Sequence, residues 1–482
     1  MDVPVGESEE EVSYSGRPLV INNTDVDDLG PESNVAPPAS YRQTPGGIGW
    51  FTATLLIINT IIGGGLLNFP RAFHEAGGVW IAAAVQGGLI LFITPALLIL
   101  AYCSDYNEAK TMQDVLYFTW GKAGQRLTSV CMTMYCFGAC ITYIIIIGDQ
   151  LDQVFASLYG STFCHYWYMH RNFTMVASCI CFVLPLCYPK KIDFLKHAST
   201  VGVAAIFYVV VLIIAQYYVG PYVPGPIKTK PDNWKDVFLV VPTLCFGYQC
   251  HVSIIPIYAC LRKRTVKNFS ISVYLGLGIC MFIYTVAAAY GYLTFGANVA
   301  SDILKSYDSS YTSVLIANIA VAAKIYVTYP INSFCGREAI CDMWLDFSLS
   351  RRVLEEESHP SLPSEERFRR IAVASTWFTL SLILAVLLPN IGAVIKILGS
   401  LAALFIFFFP GLCLLRVSTL EDGANDESSN KKTWLTVVAG TYLAVGAFVF
   451  GLVLTQGIYV DFIYDQEVDI PVCLPLNTTT LV

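Results

Sequence analysis

Eleven runs of apolar residues follow one another along the chain, near 48–70, 79–102, 126–150, 173–188, 198–219, 236–261, 271–293, 311–332, 371–388, 391–415 and 434–456. Most are about 20 residues long, the length an α-helix needs to cross a hydrocarbon layer of roughly 30 Å. The fourth is shorter and closes on "PLCYP". The pattern predicts an all-α polytopic membrane protein with eleven transmembrane helices. Two of these runs carry interruptions at mid-length. The first reads "IINTIIGGGLLNFP", and each glycine costs about 1 kcal/mol against alanine in a helix interior. The proline that follows lacks a backbone donor. The sixth reads "VPTLCFGYQCHVSIIP", where Gly247 precedes the polar Gln249, His251 and Ser253 and prolines stand at 242 and 256.

In lipid, a non-helical stretch at membrane depth is tolerated only where it is buried in protein or lines a cavity. The first and sixth runs each begin a block of five, and paired interruptions at corresponding places of two halves point to an inverted-repeat transporter. Glycine clusters also serve close helix packing, but two breaks in register favour a site. Unwound backbone at Gly63, Gly64 and Gly65 would offer N–H groups to a carboxylate. Glycine there permits close approach and unusual backbone angles. Free carbonyls at the second break would receive an ammonium group. The candidate substrate-binding residues are therefore Gly63, Gly64, Gly65, Phe246, Gly247, Gln249 and His251, and the ligand they imply is the constant part of an α-amino acid. On this reading Gly64→Val blocks substrate binding.

Composition sharpens the class. The chain has 482 residues, 55% hydrophobic and 13% charged, with a mean hydropathy of +0.57. A soluble chain of this length carries more charge. Residues 1–46 are acidic and rich in Pro, Ser and Asn, and read as a disordered cytosolic tail rather than a signal peptide. The formal charge of −7 owes much to this tail, and there is no basic surface to suggest nucleic acid as a partner. The partners implied are a neutral amino acid and the lipid bilayer, with no obligate protein partner evident. Most cysteines lie in apolar runs, and the absence of CxxC pairs at zinc spacing argues against a metal site.

Lysine and arginine set the orientation. They crowd the loops at "PKKIDFLK", "RKRTVK", 333–370 and 416–433, and are sparse in the alternate loops, which hold Arg71, Arg171, Lys228, Lys230 and Lys305. That bias places the N-terminus in the cytosol. Residues 47–460 form the helical domain, with repeats at about 48–219 and 236–415 and a last helix at 434–456. Residues 461–482 form a luminal or extracellular C-terminal tail. The sequons at Asn172 and Asn477 then face the side where glycosylation occurs. A transporter is favoured over an amino acid sensor, because the short N-terminal tail shows no structured docking segment. No nucleophile elbow, phosphate loop or clustered acidic metal motif marks an enzyme.

The segments "IINTIIGGGLLNFP", "IIIIGDQ", "PTLCFGYQCHVSIIPIY", "GYLTFG", "YPINSFCGR" and "FFFPGLCLL" resemble the sodium-coupled neutral amino acid transporters of the amino acid/auxin permease superfamily. The chain looks most like the lysosomal, glutamine-exporting branch. The resemblance spans residues 47–460. It implies the 5+5 inverted repeat of the LeuT-like fold with discontinuous first and sixth helices. It further implies transport of glutamine or asparagine, and residence in the lysosomal membrane with the plasma membrane as alternative. No cofactor is implied beyond sodium as the coupling ion. In the family sodium lies between an asparagine and a threonine that match Asn59 and Thr328, both suppliers of hard oxygen ligands. On this topology Cys164 and Cys473 lie on the oxidising side, and a disulfide between them would tether the C-terminal tail. The loop that usually carries the partner cysteine in the family, 220–234, has none.

Lys324 departs from the family pattern, which has a small residue one turn before the threonine. Two placements are open. The ammonium projects into the ion site in place of sodium and couples transport to protons, or it snorkels toward an outer rim near Asn318. Desolvation favours the second. His251 is read either as contacting the substrate side chain or as a packed, hydrogen-bonded histidine. Asp149 is expected at an interfacial helix end, and Lys396 is expected to snorkel outward.

Overall fold

The computed structural model describes residues 47–160, 162–189, 193–352, 363–388, 391–420 and 426–459. The helices that matter to the site are α1 (Trp50–Ile61), α2 (Gly64–Glu75), α3 (Val79–Tyr106), α4 (Met112–Tyr159), α5 (Arg171–Leu186), α6 (Asp193–Val219), α7 (Val241–Gly247), α8 (His251–Ala259), α9 (Val266–Phe295), α10 (Thr312–Arg352), α11 (Pro363–Leu387), α12 (Ile391–Leu420) and α13 (Asp426–Tyr459). Among the described residues, nine helical stretches are long and apolar enough to cross a membrane, and a tenth forms when α1 and α2 are joined as one bent span. The chain is an all-helical polytopic membrane protein. The fourth run corresponds to α5, which is shorter than a full span and contains a π-turn at Cys179–Val183. The proposed disulfide falls outside the described residues at Cys473, as does the sequon at Asn477; Asn172 is exposed in the first turn of α5.

Apolar periodicity located the helices but not their ends. α4 begins well before residue 126, turning at Gly121 where φ is +63°. Thr111 caps its start, accepting from Asp114 N–H at 3.1 Å while the Asp114 carboxylate accepts from Thr111 N–H at 3.1 Å. This reciprocal box satisfies two otherwise orphaned donors. α10 continues far past residue 332, because its later turns are polar and leave no hydrophobic signal.

Both sequence interruptions are structural. α1 stops at Ile61 and α2 restarts at Gly64 with a bend of 50°. α7 ends at Gly247 and α8 starts at His251, leaving Tyr248, Gln249 and Cys250 outside both helices. The two breaks touch, since a Cβ placed on Gly65 would lie 3.3 Å from the Phe246 ring. A Cβ on Gly247 would lie 2.6 Å from the Phe69 ring. Phe69 cannot yield easily, because its ring packs 4.4 Å from that of Tyr284 and is fully buried.

The surrounding helices divide by what they hold. α9 lies against α1, α2 and α3, and α1 is tied to it by Ser272, whose hydroxyl donates to Trp50 O at 2.7 Å. Ahead of α1 the chain is pinned to the end of α8. Ile48 N–H donates to Cys260 O and Arg262 N–H to Ile48 O, each at 2.9 Å. α4 packs along α10, which also packs on α6 and α11. α12 approaches α7 so closely that a Cβ on Gly399 would sit 2.4 Å from Pro242 O.

Candidate functional site

A cavity of about 450 Å³ lies between the two breaks, walled by α1, α4, α8 and α10. Gly63, Gly64, Gly65, Phe246, Gly247, Gln249, Asn59, Lys324 and Thr328 all line it. Residues from α1, α7–α8 and α10, far apart in the chain, thus converge on one space. His251 is the exception. It is fully buried and stands behind Gln249, with Nδ1 2.9 Å from the Gln249 Oε1. Of the two readings of His251, the buried, hydrogen-bonded one fits, and Gln249 rather than His251 lines the cavity.

The first turn bond of α2 runs from Leu66 N–H to Gly63 O at 3.2 Å. The N–H groups of Gly63, Gly64 and Gly65 therefore precede the hydrogen-bonded turns and lack intrahelical acceptors, although that of Gly63 faces the Tyr284 hydroxyl. Such a helix start attracts a carboxylate. None of the three has a positive φ, so the expected need for unusual backbone angles does not arise. Crowding differs between them. A Cβ on Gly64 would lie 2.7 Å from Ile146 Cδ1, whereas one on Gly63 would meet only Ile61 O, at 3.9 Å.

Carbonyls freed by the first break are already answered. Tyr284, from α9, donates its hydroxyl to Ile61 O at 2.7 Å and lies 3.3 Å from Gly247 O, so one side chain reaches both breaks. Lys324 Nζ donates to Ile62 O at 2.7 Å. The lysine is only 5% exposed, and snorkelling is ruled out by this geometry. Asn318, near the proposed rim, is itself fully buried. The lysine stem finds room because α6 presents Gly202, whose Cβ would lie 2.8 Å from Lys324 Cγ. Satisfying a buried carbonyl outweighs the stretch to a distant interface, since an unmet carbonyl costs about 1–3 kcal/mol.

Beside it, the Asn59 Oδ1 is buried without a hydrogen-bond partner. Thr328 Oγ1 donates to Lys324 O at 2.9 Å, which leaves its lone pairs free. Two neutral oxygens suit an alkali cation. Lys324 lines the same cavity, so a sodium ion held there and a protonated Lys324 would repel each other.

Polar contacts tie α2 to its neighbours beyond the breaks. Asn68 Nδ2 donates to Ser301 O at 2.9 Å, and Thr243 Oγ1 donates to Asn68 Oδ1 at 3.0 Å, joining α2, α7 and the 299–306 segment. That segment leads into a buried charged network. Asp149 is 2% exposed and paired with Arg171 at 2.9 Å and with Lys305 at 3.7 Å. It is thus an interior residue of α4, not an interfacial terminus. Arg171 also pairs with Asp152 at 3.5 Å. Lys396, likewise inside the bundle, approaches Glu75 at 3.7 Å and does not snorkel.

Asp302 completes this network, accepting from Gln150 Nε2 at 2.7 Å and from Leu304 N–H at 2.9 Å. Burial first, and then Asp149, push its carboxyl up to about 7, against the Leu304 N–H, Lys305 and Gln150. The charged groups acting on it are Asp149 from α4 and Lys305, and Arg171 from α5 in turn pairs with Asp149 and Asp152. A hydrated aspartate loses its proton near 3.8. Closure that buries Asp302 is therefore favoured as pH falls from about 7 toward 4, and weakened as pH rises through 7. Acid on that side is expected to raise the rate at which Cys335, in the cavity wall, reacts with a maleimide entering from the opposite face. Asp302→Asn should flatten this pH response.

Sequence reading missed Tyr284, Gly202 and the Asp302 network. Tyr284 and Gly202 sit in ordinary apolar runs, where nothing in spacing marks a residue that serves a distant break. Arg171 and Lys305 were visible only as loop charges.

The family model for transmembrane amino acid transporter protein matches residues 46–458, and the chain belongs to that family. It is 38% identical over 443 residues to "Sodium-coupled neutral amino acid transporter 7" of Homo sapiens, covering 89% of this chain and 93% of the relative. The Danio rerio protein of the same name is 38% identical over 436 residues, covering 89% and 91%. "Solute carrier family 38 member 8" of Homo sapiens is 32% identical over 421 residues, covering 86% and 94%. The members of this family are transporters, not enzymes.

Proposed function

We propose that the chain carries out cation-coupled secondary transport of neutral amino acids, glutamine or asparagine, with sodium as the coupling ion. The observation that carries this reading is the convergence of both breaks, the unpartnered Asn59 Oδ1 and Thr328 on one cavity. The names of its relatives support sodium and a neutral substrate. Eleven spans in a 5+5 inverted repeat, with α5 as the fourth, fit the paired interruptions. The N-terminus lies in the cytosol and the C-terminus on the luminal or extracellular side. The lysosomal membrane is the favoured location, with the plasma membrane as alternative. In that orientation the cavity belongs to the cytosolic halves of α1 and α10, and the Asn68–Ser301 side is the closed outer gate of an inward-facing state.

A second reading rests on one distance. Lys324 Nζ lies 2.7 Å from Ile62 O at the break, where a bound cation would also seek carbonyl oxygen. Its ammonium would then replace sodium, and its proton would drive transport. The test is uptake of radiolabelled glutamine into proteoliposomes, with sodium kept or replaced by N-methyl-D-glucamine, across set pH gradients. Loss of uptake on replacement supports sodium coupling. Uptake that ignores sodium and follows the pH gradient supports Lys324. No amino acid uptake under either gradient overturns both.

A further inference from the structure

Gln249 is a polar side chain with one end tied and the other unmet. It is 8% exposed, and it lines the cavity two residues after Gly247. Its Oε1 lies 2.9 Å from His251 Nδ1, while its Nε2 is buried without an acceptor. The amide oxygen can only accept, so His251 Nδ1 carries the proton in this pair. With the amide placed this way round, the NH₂ group is left as the unpaired donor. Burying such a donor is costly unless a ligand supplies the acceptor. The carboxylate of an amino acid is already drawn to the N–H groups at Gly63–Gly65, so the acceptor that Gln249 lacks belongs to another part of the substrate.

We infer that Gln249 selects substrates whose side chain carries a carbonyl oxygen, and that His251 is a positioning residue that orients the Gln249 amide for this contact. The inference rests on the cavity being the amino acid site. A side-chain carboxamide meets the requirement, because its oxygen completes the Nε2 donor and its length reaches past the constant groups. A straight aliphatic chain of similar length fills the same space and leaves the donor unmet. Sites built to bond a polar substrate group reject the analogue that lacks it for this reason.

The test compares inhibition of transport by glutamine and by norleucine, with alanine uptake as a measure of the site's common function. Wild type should prefer glutamine over norleucine by about tenfold or more. Gln249→Leu should erase that preference, weakening inhibition by glutamine and strengthening inhibition by norleucine. His251→Leu should weaken it by raising the KM for glutamine with little change in kcat. His251→Asn, which keeps a donor in the place of Nδ1, should restore it. Preference unchanged in Gln249→Leu overturns the inference but leaves the cavity as the transport site. Loss of alanine and glutamine uptake together, in a folded Gln249→Leu protein, also overturns it by assigning Gln249 to the constant groups. Failure of wild type to transport any amino acid removes the reading on which it rests.

Discussion

Gly63→Leu is expected to reduce amino acid uptake by about tenfold to hundredfold or more, while the protein folds and melts as the wild type does. The argument is spatial. Gly63 is extended, with φ −141° and ψ −165°, a conformation that leucine adopts freely. Its Cβ would meet only Ile61 O, at 3.9 Å, so the added side chain enters the cavity instead of the packing. There it competes with the substrate for space beside the N–H groups of the break. Overfilling a fixed site costs about 1–3 kcal/mol or more, and each 1.4 kcal/mol is about a factor of ten. Gly64→Val is a poorer test, since its Cβ also strikes Ile146 Cδ1 at 2.7 Å and disturbs packing as well as the site. Binding of labelled glutamine by detergent-purified Gly63→Leu, alongside its thermal unfolding, separates the two effects. Normal uptake by this variant would place the substrate elsewhere.

Lys324→Met is expected to lower gradient-driven uptake by about fivefold to hundredfold. Methionine keeps an unbranched stem, so the space opposite Gly202 stays filled. The donor to Ile62 O is lost, and a buried carbonyl left unpaired costs about 1–3 kcal/mol. The end of α1 is then free to draw in a different partner. Under sodium coupling, Lys324→Ser should raise apparent sodium affinity, because a hydroxyl oxygen replaces a repelling ammonium next to Asn59 and Thr328. Under proton coupling, Lys324→Met should lose the response to a pH gradient yet retain glutamine–glutamine exchange, which needs no net proton movement. Uptake by Lys324→Met equal to wild type in rate, sodium response and pH response would show that the bond to Ile62 serves neither.

Much of this site could be read before any coordinates. Three glycines in an apolar run and a Gly-Tyr-Gln-Cys-His segment in another are legible because lipid forbids unsatisfied backbone, so an interruption must have a purpose. Asn59 and Thr328 came from the family resemblance, and both line the cavity. Lys324 was the instructive failure. Desolvation weighed against a buried lysine, but the broken helix supplies an open carbonyl that a lone helix would not, and Gly202 clears the path to it. For His251 the packed, hydrogen-bonded reading is the one that fits. Spacing put it near the break, yet one residue's change in direction decides whether a side chain reaches the cavity or stands behind its neighbour. Asp149 and Lys396 looked interfacial because their partners, Arg171, Lys305 and Glu75, lie in other segments of the chain. Long-range pairs of this kind carry no periodicity. The ends of α4 and α10 were missed because polar turns continue both helices beyond their apolar runs.

The central claim is that the space between the two broken helices holds the transported amino acid. A cryo-electron microscopy map of the protein with bound glutamine tests it most directly. The account predicts density for the carboxylate at the N–H groups of Gly63, Gly64 and Gly65, with the side-chain amide directed to Gln249. Glutamine density outside this cavity, whether in a separate apolar groove lined by Phe155 of α4, Phe173 of α5 and Ile319 of α10 or at the Asp302 network, with the space between the breaks left to solvent, would contradict it.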